Sequence, residues 1–207
     1  INKLAEKISA PVIACDVSNG DDVENLITKS MEHFGGGFDF ILHSIGMSLN
    51  VRKGKHYTDI DYTHNLKTFE ISSMSLHRVL ACCMKKDAIN EWGSVIALSY
   101  IAAQRIFPDY NEMADAKALL ESVARSFGYH YGVKKHVRVN TISQSPTRTT
   151  AGSGVKGFDG FINYGSPVIG PVYDPSVILA GDPSGIGTYT ITPNVMNQPI
   201  FSIRRIN

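Results

Sequence analysis

The 207-residue chain is 43% hydrophobic and 19% charged with a formal charge of +1, a balance that supports one buried core and argues against a disordered chain or one that wraps nucleic acid or lies on an anionic membrane. No apolar run reaches the roughly 20 residues of a membrane span, and residues 1–4 lack the pattern of a signal peptide, so a cytoplasmic protein acting on a small molecule or another protein is expected.

Residues 1–8 read as the amphipathic end of a helix, and a chain that starts inside an element with Ile1 implies further residues upstream. Residues 11–17 form a short apolar run closed by Ser18, Asn19 and Gly20, which predicts a buried strand and a turn. Over 21–34, Val23, Leu26, Ile27 and Met31 fall at helical spacing, and Gly35-Gly36-Gly37 ends the helix. Residues 38–46 predict the next strand, running into Gly46. Residues 60–90 predict a long helix whose buried side is Leu66, Phe69, Ile71, Met74, Leu76, Val79 and Leu80. A strand over 93–100, a helix over 111–131 stopped by Gly132, and a strand over 137–143 follow.

Strands alternating with helices predict an α/β fold with a Rossmann-type, doubly wound parallel sheet, helices on both faces and ligands at the carboxyl ends of the strands. Ser44-Ile45-Gly46, Ser99-Tyr100 and Ser143-Gln144-Ser145-Pro146 then line one cleft. After Gly160 the composition changes: Pro167, Pro171, Pro175, Pro183, Pro193 and Pro199 exclude a long helix, and charges thin to Asp174, Asp182, Arg204 and Arg205. Short strands such as 188–191 stay open, with no firm element. The expected division is a sheet domain over 1–161 and an atypical, helix-poor segment over 162–207.

Cys15, Cys82 and Cys83 lack metal or disulfide spacing, and the seven histidines are scattered, so no metal site is expected. Tyr110 and Lys117 are the pair that suggests chemistry, because a seven-residue step is nearly two helical turns and puts both on one face. Tyr100, at the preceding strand's end, would join them. An ammonium beside a phenol favours negative charge on its oxygen and can donate to cofactor hydroxyls. The spacing alone also describes ordinary surface pairs. A second pair, Tyr131 and Lys135, sits about 30 Å along the same helix at 1.5 Å per residue, where a capping or surface role is expected.

Leu42-His43-Ser44-Ile45-Gly46, Leu98-Ser99-Tyr100, the run 108–118 around Tyr110, Met113 and Lys117, and Arg138-Val139-Asn140-Thr141-Ile142-Ser143 occur in order. Together they closely resemble the bacterial enoyl-acyl carrier protein reductases, the branch of the short-chain dehydrogenase/reductase superfamily with Tyr-x6-Lys, over residues 1 to about 161. The resemblance implies an NADH-dependent oxidoreductase, with NADPH as the alternative, that reduces trans-2-enoyl thioesters on acyl carrier protein in fatty acid synthesis. It implies that Tyr110 contacts the thioester oxygen, Lys117 holds the nicotinamide ribose and Tyr100 borders the acyl pocket. It assigns Asp16, Val17, Ser44, Ile45, Gly46, Leu98, Pro146, Thr147 and Thr149 to the dinucleotide. Met47, Met113, Ser153 and Val155 fall to the substrate, the last two in a glycine-rich loop expected to order over it.

The sequence departs from the family at Ser145 and Thr147, where glycine and isoleucine are usual, and from about Ile162 onward. The family's first strand and phosphate-binding turn would lie upstream of Ile1, and the homotetramer it forms uses its last strand. Two other readings compete: a ketoacyl or carbonyl reductase of the ordinary branch working through Tyr131 and Lys135, and a catalytically incompetent fragment.

Overall fold

The computed structural model describes residues 1–106 and 110–144, and the backbone of 188–191 and 201–204. After a short helix α1 (Asn2–Glu6), residues 11–16 are irregular and Val12 is 51% exposed. The strand expected there does not form, because a strand needs a neighbour for its N–H and C=O groups. Among the described residues no strand lies beside it.

Helix α2 (Gly20–Phe34) starts where the sequence places it. Asn19 accepts from the Asp21 N–H at 2.9 Å, Asp21 and Asp22 complement the positive end of the helix, and Gly35 closes it at φ 69°. Three strands then run parallel: β1 (Phe38–His43), β2 (Ile89–Ser99) and β3 (Arg138–Gln144), with His43 opposite Ala97 and Ser99 opposite Ser143. Strand β2 begins earlier than expected. It bulges opposite Phe38 and Phe40, through Trp92 at φ 64°.

The connection from β1 to β2 is α3 (Leu49–Arg52), α4 (Tyr62–Phe69), a π-helical turn (Glu70–Met74) and α5 (Ser75–Lys86). The single helix expected over 60–90 is therefore broken in phase. Each residue adds about 100° at 3.6 per turn, so the wider π turn rotates what precedes it. Leu66 is 69% exposed and Met74 37%, while Leu76, Val79 and Leu80 are buried as predicted.

Helix α6 (Glu112–Lys135) runs through Gly132 and ends at His136, φ 57°. Its last turn is anchored by Tyr131, whose hydroxyl donates to the Leu80 carbonyl at 3.0 Å, and by Lys135, which reaches the Ile89 carbonyl at 2.7 Å and Asp87 at 2.6 Å. Those contacts outweigh glycine's weak helix preference.

Val23 and Ile27 of α2, Leu76, Leu80 and Cys83 of α5, and Leu120, Ala124 and Phe127 of α6 meet Val95, Ala97 and Val139 of the sheet in one core. These helices share one sheet face. Successive right-handed crossovers that add strands in one direction, β1-β2-β3, return to the same side. The expectation of helices on both faces is not met among the described residues, and Phe40 and Leu42 on the other face are each 54% exposed.

Strands β4 (Thr188–Ile191) and β5 (Phe201–Arg204) extend the sheet in the order β1-β2-β3-β5-β4, with β5 antiparallel to both β3 and β4. They lie in the segment where the sequence yields no firm element. Among the described residues no helix is long and apolar enough to cross a membrane.

Candidate functional site

Because the parallel strands are in register, their carboxyl ends lie level, and the residues that follow share one edge. At that edge the Tyr100 and Tyr110 rings are 4.7 Å apart and tilted by 52°. Tyr100 is buried, which pushes its phenol up to about 12. The Tyr110 phenol is also held above its usual value, by burial first and then by Tyr100.

Lys117 is only 6% exposed, and its ammonium donates to the Leu98 carbonyl at 2.7 Å. Burial lowers its pKa to about 8. A Cβ on Gly46 would stand 2.9 Å from Met113 Cε and 3.8 Å from Lys117 Nζ. Gly46, Met113 and Lys117 therefore share one small space that a larger residue at 46 would invade.

Tyr110 does not open α6, as the seven-residue step supposes. It precedes the helix, separated from it by Asn111 in an unusual conformation (φ 46°, ψ −141°) whose side-chain amide donates to the Lys55 carbonyl. Its ring packs against the buried cluster of Val51, Met113 and Ala116, as does Phe69. Met113 belongs to the cluster on which Tyr110 packs and also borders the Gly46–Lys117 space, so the two neighbourhoods adjoin there.

Several residues that complete this edge lie outside the motifs of the sequence. Ser72, in the π turn, accepts from the Met47 N–H at 2.9 Å and donates to the Met47 carbonyl at 3.0 Å, pinning the segment after β1. Ser73 donates to the Ala116 carbonyl at 2.5 Å. Glu121, buried in α6, accepts the Ser99 hydroxyl at 2.8 Å. A run of small hydroxyl residues inside an apolar helical pattern, Ile71-Ser72-Ser73, is the signal that could have found the first two.

His43, the last residue of β1, is 3% exposed, and its Nε2 lies 2.8 Å from the Ser75 hydroxyl. Burial, then the Lys117 charge, lowers its pKa from 6.5 to about 4. The unfolded chain therefore binds a proton first as pH falls. The stability His43 contributes is complete above pH 6.5 and is lost toward pH 4, about 3 kcal/mol in all. Urea titrations at pH 7 and pH 4 should show that loss in the native protein and a smaller one in His43→Gln. Equal losses would remove His43 as the cause.

Asp16 is exposed and organises a turn, accepting the Ser18 N–H at 2.8 Å and hydroxyl at 2.7 Å; that hydroxyl bond chiefly lowers its pKa. Arg78 donates to the Val17 carbonyl. Ser44 and Gly46 are exposed and Ile45 and Leu98 half-buried at the strand ends. Pro146, Thr147, Thr149, Ser153 and Val155 lie outside the described residues. Tyr131 and Lys135 are committed to Leu80, Ile89 and Asp87, far along α6 from Tyr110, and Tyr131 is a core residue where a surface or capping role is expected. Among the described residues no group of three or more His, Cys, Asp or Glu could hold a metal ion.

The arrangement can place a neutral phenol donor against a ligand oxygen and an ammonium beside ligand hydroxyls. One of the three ammonium donors serves Leu98, which leaves capacity for a ribose. Comparison with known proteins bears on that chemistry. Residues 1–168 match the family described as enoyl-(acyl carrier protein) reductase. The chain is 33% identical over 164 residues to the enoyl-acyl-carrier-protein reductase (NADH) FabI of Rickettsia bellii, covering 78% of this chain and 61% of that one. It is 31% identical over 182 residues to the FabI of Aquifex aeolicus, covering 83% and 65%. Among solved structures, the FabI–NADH complex from Alistipes finegoldii superposes with a TM-score of 0.77 at 62% identity, over 79% of this chain and 58% of that one. The Aquifex aeolicus reductase superposes with a TM-score of 0.72 at 30% identity, over 79% and 63%. The chain thus spans less than two thirds of the length of these relatives.

Proposed function

The chain belongs to the enoyl-(acyl carrier protein) reductase family, and from that premise we propose that it reduces trans-2-enoyl thioesters on acyl carrier protein with NADH, the cofactor named for its relatives. The observation that carries the reading is a buried lysine, Lys117, hydrogen-bonded at the strand edge and adjoining, at Met113, the cluster that carries a phenol, Tyr110, whose ring tilts against a second phenol, Tyr100. NADH when bound supplies the hydride that adds to the β-carbon of the enoyl group.

Negative charge then accumulates on the thioester oxygen. Tyr110 donates a hydrogen bond to that oxygen; because its pKa is raised, the phenol keeps its proton at neutral pH. Lys117 holds the ribose hydroxyls, and Tyr100 and Met113 wall the acyl chain. Ser44, Ile45 and Gly46 lie under the adenosine half, with Asp16 and Val17 beside the adenine. Met47, Pro146, Thr147, Thr149, Ser153 and Val155 complete the cofactor and acyl contacts in this reading. Residues 1–161 form the reductase domain, and the protein works in the cytoplasm as a homotetramer.

The test uses the full-length protein with NADH and two thioesters. Crotonyl thioester should consume NADH and acetoacetyl thioester should not. The reverse preference would favour a ketoacyl reductase. No consumption together with no NADH binding by calorimetry would overturn the proposal.

A further inference from the structure

We infer that Glu112 is a positioning residue for Tyr110, acting through the wall that holds the phenol ring. It stands in the first turn of α6 and is 0% exposed. One carboxyl oxygen, Oε1, accepts the Ser48 hydroxyl at 2.6 Å. The Thr68 hydroxyl lies 3.1 Å from the same oxygen and 2.9 Å from the His64 carbonyl, and its single proton serves one of them. The other oxygen, Oε2, is buried with no hydrogen-bond partner among the described residues.

Ser48 in turn accepts the Val51 N–H at 3.0 Å, and Thr68 adjoins Phe69. Val51 forms a small buried cluster with Met113 and Ala116 of α6, and both Phe69 and Tyr110 pack against that cluster. One carboxyl therefore ties α3, through Ser48 and Val51, and α4, through Thr68, to α6 around the cluster on which Tyr110 packs. Burying a carboxyl is costly where an apolar side chain would fit, so the gain from Glu112 lies in the geometry it fixes. A shift of about 1 Å in a reacting group can cost on the order of a hundredfold in rate.

The inference rests on Tyr110 as the oxyanion donor, and its test uses the full-length protein with NADH and crotonyl thioester. Glu112→Ala should lower kcat by roughly ten- to a hundredfold and leave KM for NADH within about threefold. Glu112→Gln keeps the acceptor at Oε1 and should stay within about threefold of the native kcat. In a Tyr110→Phe background Glu112→Ala should cost less than about threefold, since the group it positions is gone.

If Glu112→Ala does not fold, Thr68→Val supplies the same comparison, with a loss of roughly threefold or more that vanishes in the Tyr110→Phe background. An unchanged kcat in the folded variant, or a loss that persists in full without the phenol, overturns the inference alone. Absence of turnover by the native protein overturns the functional reading, and this one with it.

Discussion

Tyr110→Phe should lower kcat about a hundredfold while leaving KM for NADH and the melting temperature close to native. The substitution deletes one hydroxyl and keeps the ring, so the packing on the Val51, Met113 and Ala116 cluster and the tilted contact with Tyr100 survive. In the proposed reaction, what disappears is the donor to the oxygen where charge develops, an interaction typically worth about 3 kcal/mol in the transition state, or roughly a hundredfold in rate. Burial makes the donor neutral and the site poor in competing water, which are the conditions under which such a bond counts most. A loss confined to kcat is the signature of an interaction made only in the transition state. Steady-state kinetics on purified variant and native protein would decide it. Native turnover in the variant would remove Tyr110 from the mechanism.

The sheet was readable because it rests on local patterns. The apolar positions of β2 and β3 bury by alternation, and Asn19 with Gly35 punctuates α2 at both ends. What periodicity could not supply was set by contacts distant in sequence. Gly132 reads as a stop, yet Tyr131 and Lys135 find carbonyls on other elements and carry α6 onward. Residues 11–17 read as a strand, yet pairing depends on a neighbour that no local pattern reveals.

The site divides in the same way. Tyr100, Tyr110, Lys117 and Gly46 were found from motifs in order, and the structure brings all four to one edge. A shared helix face does not pair Tyr110 with Lys117, because Tyr110 lies outside α6; their neighbourhoods adjoin at Met113. Ser72, Glu112 and Glu121 are not legible in the same way, because a hydroxyl or carboxyl in a helix looks like solvated surface until the opposing element is known.

Lys117→Met should cost at least about a hundredfold in kcat/KM for NADH, because a charge-assisted hydrogen bond in a dry site is typically worth about 1.5–3 kcal/mol and a buried ammonium can make more than one. The Leu98 carbonyl also loses its donor, so a lower melting temperature should accompany the kinetic loss. The pH dependence separates the two effects. Burial holds the native pKa at about 8 against an ordinary 10.5, so the ammonium that would hold the ribose is lost as pH rises through 8. NADH affinity of the native protein should fall above that pH, by up to about tenfold per unit. Over the same window the unfolded chain binds more protons than the folded one, so Lys117's own contribution to stability rises with pH. Affinity and stability should therefore move in opposite directions between pH 8 and pH 10.5 in the native protein, and both trends should flatten in Lys117→Met. Parallel loss of both would mean that the protein is simply unfolding, and native-like NADH affinity in the variant would take Lys117 out of the cofactor site.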